Sequence, residues 1–214
     1  NQEMREKYLP KPTNSSWSAG TRDNTGDAII EGMRLGAKMH RLDEAWWCNT
    51  ISVPGEEIPR LSIMEKSYPG SIVVNPAGQR FSNESQNYMA FQQETFQKHS
   101  EDNPCNPSWQ VFDASFRATY FVGPLYNSKF RPDWLVPKSY EQEGFFAMAD
   151  TIRELAAKID VDADGLEKTV ADMNRYASEG IDPEYQRGES AYDRYYGDPR
   201  VTPNPCLGPV NKPP

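Results

Sequence analysis

Apolar residues recur along this chain at two spacings, and a few clean stretches carry most of the structural signal. Asn24-Thr25-Gly26-Asp27 offers a capping oxygen and an acidic first turn. Ile29, Ile30, Met33, Ala37 and Met39 or His40 follow at roughly helical spacing, which predicts a helix over residues 26–40. Residues 60–66 and 71–74 read as strands, the second rich in β-branched side chains. Asn75-Pro76-Ala77-Gly78 is the residue set of a type I turn, and Gln79-Arg80-Phe81 is expected to return as the partner strand of a hairpin. Asn83 can cap a helix over residues 84–99 with Tyr88, Phe91 and Thr95 on one face and Gln, Glu and Lys toward water.

Beyond a Pro/Asn loop, Trp109-Gln110-Val111-Phe112 reads as a buried strand, while residues 121–144 are aromatic and proline-broken, without a period. Thr151-x-x-Glu154 is a capping box, with Ile152, Leu155, Ala156 and Ile159 at positions i, i+3, i+4 and i+7. Asp164-x-x-Glu167 repeats that logic, and Leu166, Val170, Met173 and Ala177 continue the stripe until Gly180 stops it. These two helices predict a hairpin whose stripe needs a sheet or another helix to cover it. Residues 1–23 are expected to be extended or looped apart from a short helix around residues 2–8, and the five-proline tail over residues 203–214 has no hydrogen-bonding pattern of its own. The expected class is α+β, a mixed sheet with helices packed against it.

Composition sharpens this picture. At 37% apolar residues over 214 positions the core is thin for the length, and 18 prolines favour much irregular chain. The net charge of −8 comes with no basic run, which excludes a nucleic-acid partner, since phosphate contacts need a clustered positive face. No window approaches the ~20 apolar residues of a membrane span, and the first thirty residues carry no signal pattern, so a transmembrane segment is not expected and the chain reads as soluble and cytoplasmic. Cys48, Cys105 and Cys206 are too far apart for a CxxC site and read as free buried thiols. His40 and His99 lack acidic or cysteine partners at ligand spacing, so no metal is expected. No GxGxxG, phosphate loop, GxSxG or HExxH occurs.

Several segments in order across about 190 residues resemble the flavoprotein family that contains 3-ketosteroid Δ1-dehydrogenases and soluble fumarate reductases. Asn24-Thr25-Gly26-Asp27-Ala28 with Gly36-Ala37 is similar to the family's TGDG segment and its helix. Gly70-Ser71-Ile72-Val73-Val74-Asn75, then Gly78-Gln79-Arg80-Phe81-x-Asn83-Glu84, is similar to its "vN..G.RF.NE" hairpin. Val111-Phe112-Asp113, Ala149-Asp150-Thr151, Thr169-Val170, Gly180-x-Asp182 and Arg187-Gly188 follow in the family's order. Ala45-Trp46-Trp47 and the stretch from Tyr192 to Pro199 tilt the resemblance toward the steroid branch.

The resemblance implies FAD as cofactor and a larger two-domain enzyme of which this chain is a part: residues 1–47 the edge of the FAD-binding domain, 48–200 the cap or substrate domain of the succinate dehydrogenase/fumarate reductase type, and 201–214 a return segment. It implies desaturation of a small apolar ketone such as a 3-ketosteroid. A fumarate-reductase-like ene reductase acting on an unsaturated substrate, or a non-catalytic interaction module built on the cap fold, are the alternatives. A severed piece should leave apolar surface exposed, whereas a true module should close it. The piece by itself is expected to be inactive and to hold no FAD tightly, since the rest of the FAD-binding domain would be its partner.

Desaturating a ketone needs a base for the acidified α proton and an electron sink for the β hydride, and flavin is such a sink. By resemblance Tyr88 is the proton-transferring or ketone-polarising group, with Asn83 and Glu84 behind it; Tyr88 reads equally as a core residue beside Phe91. Thr25, Gly26 and Asp27 are placed at the cofactor, where an aspartate suits a hydroxyl or amide edge better than a phosphate. They also read as an ordinary helix cap. Arg117 invites comparison with the arginine proton donor of the fumarate reductases, against an ion-paired or exposed arginine. Arg187 fits a family motif or a structural pairing with Asp182, and Tyr192 and Tyr195 are candidates to line a flat apolar substrate.

Overall fold

The computed structural model describes the whole chain, Asn1–Pro214. In chain order the elements are α1 (Gln2–Tyr8), α2 (Asp27–Arg34), β1 (Asn49–Ile51), β2 (Arg60–Ser62), β3 (Ser71–Val74), α3 (Tyr88–Lys98), β4 (Trp109–Phe112) and α4 (Ala114–Arg117). They are followed by α5 (Lys138–Gln142), α6 (Ile152–Ile159), α7 (Ala163–Glu179) and α8 (Ala191–Tyr195). The class is α+β as expected, but the strands form two separate antiparallel pairs, β1 with β2 and β3 with β4, in place of one mixed sheet.

The core forms where β3 and β4 meet the α6/α7 hairpin. Ile72, Val74 and Val111 pack with Ala156, Leu166, Val170, Met173 and Ala177. Alternation along a strand sends Val73 to the opposite face, where it joins Phe81, Phe91 and Cys105. Both faces of β3 are therefore covered, and all four of its residues are buried. The proline-rich tail closes this core: Leu207 and Val210 are buried in it. The Asn174 amide donates to the Val210 carbonyl at 3.1 Å and accepts its N–H at 2.7 Å.

The hairpin expected over residues 71–81 is reduced to one bridge between Val74 and Arg80. The strand partner of β3 is β4, with Ile72 opposite Val111. On its other edge the Val73 N–H donates to the Glu84 carboxylate at 3.2 Å, so a side chain stands where a third strand would run. The 75–78 turn does form, with Gly78 N–H donating to Asn75 O at 2.9 Å. It then seats on the start of α7. Asp162 N–H donates to Pro76 O at 2.8 Å, and a Cβ on Gly165 would collide with the Ala77 carbonyl.

Helix boundaries moved for physical reasons. Asp162 caps α7, its carboxylate accepting the Gly165 N–H at 2.6 Å, so the cap lies before the expected Asp164. Thr151 caps α6 as its spacing predicts, accepting the Glu154 N–H at 3.2 Å. Gly36 at φ 79 follows the end of α2, well short of His40. Helix α3 starts at Tyr88 on an Asn87 cap, because Asn83 to Gln86 form a turn instead, with Ser85 N–H donating to Asn83 Oδ1 at 2.8 Å. The strand expected over 60–66 stops at Ser62, and Glu65–Ser67 form a buried single helical turn.

The chain exposes 12236 Å² of surface. A compact 24.3 kDa monomer would expose roughly 10,000 Å². Part of the excess is apolar. Helix α2 buries no residue although Ile29 and Ile30 share its apolar stripe, and Trp46, Phe130 and Trp134 are about four-fifths exposed. That is the open surface expected of a part rather than a closed module.

Candidate active site

The turn over Asn83 to Gln86 rests on a set of buried ions. Glu84 is fully buried, and its carboxylate accepts from Arg80 Nε at 2.8 Å, Arg80 Nη2 at 2.7 Å and Arg187 Nη1 at 3.1 Å. Burial pushes this carboxyl up, and the Arg80 and Arg187 charges overcome it and hold the group at about 2. Arg80 also donates to Asp182 at 2.8 Å. Arg187 does not pair with Asp182 directly. It donates to Ser85 Oγ at 2.9 Å, Ser71 O at 2.8 Å and Tyr68 O at 3.0 Å, in addition to Glu84. Segments more than a hundred residues apart in sequence are thus tied to one carboxylate.

Lys66 completes the set. Its side chain is buried, and Nζ donates to the carbonyls of Glu84 at 2.7 Å and Gln86 at 2.8 Å. Burial first, and then the charge of Arg187, lower this ammonium to about 7. Glu84 is therefore a buried structural centre beneath the turn.

Above this base the chain turns into α3 and presents Tyr88, which is half-buried. The Trp46 indole N–H donates to the Tyr88 phenol oxygen at 3.1 Å. Indole is a donor only, so the phenol oxygen is fixed as an acceptor and its own proton must point elsewhere. Tyr192 lies in the same neighbourhood: burial raises its phenol, and the nearby Tyr196, Tyr88 and Cys48 add to the rise. Asn83 makes this adjacency, since its amide donates to Asp193 at 2.9 Å and anchors α8, which carries Tyr192 and Tyr195. Asp193 in turn accepts the Gly188 N–H at 2.9 Å and the Ser190 hydroxyl at 2.6 Å. Tyr195 is three-quarters exposed, its ring edge-on to Tyr196 at 4.8 Å.

The remaining expected site residues lie elsewhere. Thr25, Gly26 and Asp27 form the exposed start of α2, with the Thr25 hydroxyl donating to the Asp27 carboxylate at 2.7 Å and no hydrogen bond leading to Tyr88. Gly26 has φ 91, a left-handed conformation that suits glycine, and the Met4 side chain from α1 packs close to it. Arg117 is buried and engaged with its own loop: Nη2 lies 2.7 Å from Asp133, and Nη1 donates to the Tyr126 carbonyl. This is the ion-paired arginine, buried where the sequence allowed it to be exposed. A polar cleft of ≈ 510 Å³ runs past Asn83, Glu94, Glu184 and Asp193, and Tyr88 does not line it. No group of His, Cys, Asp and Glu could hold a metal ion.

Sequence reasoning missed Lys66 and the role of Trp46. The paired tryptophans were visible, but their link to Tyr88 spans 42 positions. For Lys66 no local signal exists, because a lysine at the end of the strand expected over residues 60–66 reads as solvated.

The chain belongs to the FAD binding domain family, which matches residues 2–211. It is 40% identical over 218 residues to a 3-oxosteroid 1-dehydrogenase of Mycobacterium tuberculosis (strain ATCC 25618 / H37Rv), covering 100% of this chain and 38% of that protein. The crystal structure of 3-ketosteroid delta1-dehydrogenase from Sterolibacterium denitrificans, in complex with 1,4-androstadiene-3,17-dione, superposes with a TM-score of 0.92 at 43% identity. It too is covered to 38%, over 100% of this chain. A flavocytochrome c3 fumarate reductase in its open conformation aligns over 87% of this chain and 29% of its own, with a TM-score of 0.53 at 23% identity, a likeness of fold alone. The chain therefore spans well under half the length of these relatives. No helix of the structure is long and apolar enough to cross a membrane.

Proposed function

We propose that this chain contributes the substrate side of an FAD-dependent dehydrogenase that desaturates a small apolar ring ketone, of which a 3-ketosteroid is the leading example. The observation that carries the reading is the Tyr88 phenol, held by Trp46 with its proton unclaimed, on a turn that rests on buried ions and is tied through Asn83 to the helix carrying Tyr192. The relatives named above lend the substrate class.

The start of α2 fits a polar, uncharged edge of the cofactor. Its cap residue is a glycine without a side-chain hydrogen bond, so the N–H groups of the first turn are open, and the Asp27 carboxylate is pre-oriented by Thr25 to accept from a hydroxyl or ring N–H. Thr25, Gly26 and Asp27 would hold FAD there. When bound, FAD supplies a two-electron sink for hydride lost from the carbon β to the ketone. This chain's own work is at the other carbon and at the oxygen. Tyr88 Oη, with Trp46 occupying one lone pair, either takes the α proton after its own has passed to water, or donates its proton to the ketone oxygen. Tyr192 and Tyr195 offer ring faces to a flat substrate. The apolar stripe of α2 and the exposed Trp46 face the remainder of the FAD-binding domain.

An ene reductase acting on a dicarboxylate is the weaker reading. Such a substrate needs a cationic clamp, and the cations beneath Tyr88 are buried and bonded to protein groups: Lys66, Arg80 and Arg187.

The test is Tyr88→Phe in the whole FAD-loaded protein, with a 3-ketosteroid and an artificial electron acceptor. Turnover should fall by about a hundredfold or more, the usual weight of a positioned proton-transfer group, with flavin content unchanged. Unaltered turnover would falsify the assignment.

A further inference from the structure

Tyr88 is bracketed in sequence by contacts to one side chain. Two residues before it, the Gln86 carbonyl accepts from Lys66 Nζ at 2.8 Å, and the Glu84 carbonyl accepts from the same nitrogen at 2.7 Å. Three residues after it, the Phe91 ring on the first turn of α3 lies under the ammonium, 4.9 Å from Nζ to the ring centre. We propose that Lys66 is the positioning residue of Tyr88: one buried ammonium holds the turn that enters α3 and the first turn of α3 itself, and so fixes where the phenol stands. This inference rests on the reading of Tyr88 as the proton-transferring group.

The surroundings favour an ordering role over a pairing one. The groups whose charges reach Lys66 are Arg187, Glu84, Cys48 and Asp193. The Glu84 carboxylate is bonded to Arg80 and Arg187, and Asp193 is bonded to Asn83, Gly188 and Ser190. Lys66 thus has no carboxylate of its own and serves two backbone carbonyls and a ring. Ser67, the next residue, repeats the grip, its hydroxyl donating to Glu84 O at 3.1 Å while its carbonyl accepts the Ser85 hydroxyl at 3.2 Å. With Lys66 removed, the Gln86 carbonyl keeps no donor from this side, and the segment between Ser85 and Asn87 can shift.

Titration offers a readout that a filler residue would not move. Folded Lys66 is held at about 7. A hydrated lysine sits near ~10.4. Any opening that wets Lys66 therefore takes up a proton between these values, and it becomes harder as pH rises from about 7 toward 10. The experiment compares the whole FAD-loaded protein with its Lys66→Met and Lys66→Arg variants. For Lys66→Met, kcat should fall by about ten- to a hundredfold, the scale set by a misplacement of roughly 1 Å, with KM within about threefold. Lys66→Arg, which keeps donors and charge, should recover part of that loss. Amide exchange of residues 84–91, corrected for its intrinsic pH dependence, should slow from pH 7 to 9 in the wild type and lose that dependence in Lys66→Met. Unchanged kcat in Lys66→Met overturns the proposal. If the variants fail to fold or lose flavin, the wild type decides alone, and exchange without a pH-dependent change through that window overturns it. The exchange arm needs no turnover, so its failure is distinct from a Tyr88→Phe protein that keeps turning over.

Discussion

Glu84 shows how far one residue can depart from what its type suggests. Ionised carboxylates are almost never fully buried unless paired, and this one accepts from two guanidinium groups and a strand N–H. Such a pair is poor evidence of net stabilisation, yet removing one partner strands the others. Glu84→Gln should therefore destabilise the protein by about 3–5 kcal/mol, the usual cost of breaking a buried pair, measured by denaturant unfolding. Its pH dependence has a definite sign. The folded group sits at about 2. The unfolded one sits near ~4.3, so its contribution is complete above that value and is lost as pH falls through about 2. The wild type should lose stability across this window on acidification, and Glu84→Gln should lose less. An identical acid limb in both proteins would show that Glu84 is not the group responsible. Tyr88 stands at the other extreme: its spacing pointed first to a core residue, the family resemblance made a working group equally open, and the bond from Trp46 supports the proposed working role.

Among the elements, the capped and striped helices were legible. Thr151 and the Leu166, Val170, Met173, Ala177 stripe form α6 and α7 because caps and a 3.6-residue period act within a turn or two. Strand pairing was not legible. The expected partner of β3 was its nearest neighbour in sequence, but Arg80 turns inward to Glu84 and Asp182 and Phe81 joins the second cluster, so residues 79–81 leave the sheet after one bridge, and the strand that pairs with β3 is β4, on the opposite edge. The turn between them acquired another task, docking backbone to backbone on α7. Gly165→Ala tests this contact. Its Cβ would meet the Ala77 carbonyl, a rigid backbone atom, and the Asp162 carboxylate. Thermal unfolding should show a loss of about 1–3 kcal/mol, the range for overpacking a close contact, despite alanine's better helix propensity. A gain in stability would mean that the turn yields at little cost.

Across the whole molecule, order is uneven. The β3/β4 pair, α6, α7 and the tail share one core, whereas residues 126–146 contain no buried residue and expose Phe130, Trp134 and Leu135. Local opening should be easiest where apolar contacts are fewest. Limited chymotrypsin digestion of this chain should therefore cut first after Phe130 or Trp134 and leave residues 151–214 as the most persistent fragment. First cleavage within α7 would contradict this ranking. The same unevenness explains why the domain's outer face, including α2 and Trp46, stays open while its interior ions are fully enclosed.

What the amino-acid order settled by itself was local: which stretches coil, where a cap oxygen stands, where glycine lets the chain turn, and that a phenol follows the Asn83-Glu84 pair. Those features depend on neighbours a few positions away, and the sequence writes them side by side. Only the tertiary structure decided that Glu84, Arg80, Arg187 and Lys66 go inside, since a charged side chain can be buried only when its partners arrive, and here they come from segments up to 103 residues distant. It also decided that Trp46 stands on Tyr88 and that Asn83 holds the helix carrying Tyr192, because adjacency between separate elements is fixed by how the core packs and by no periodicity along the chain.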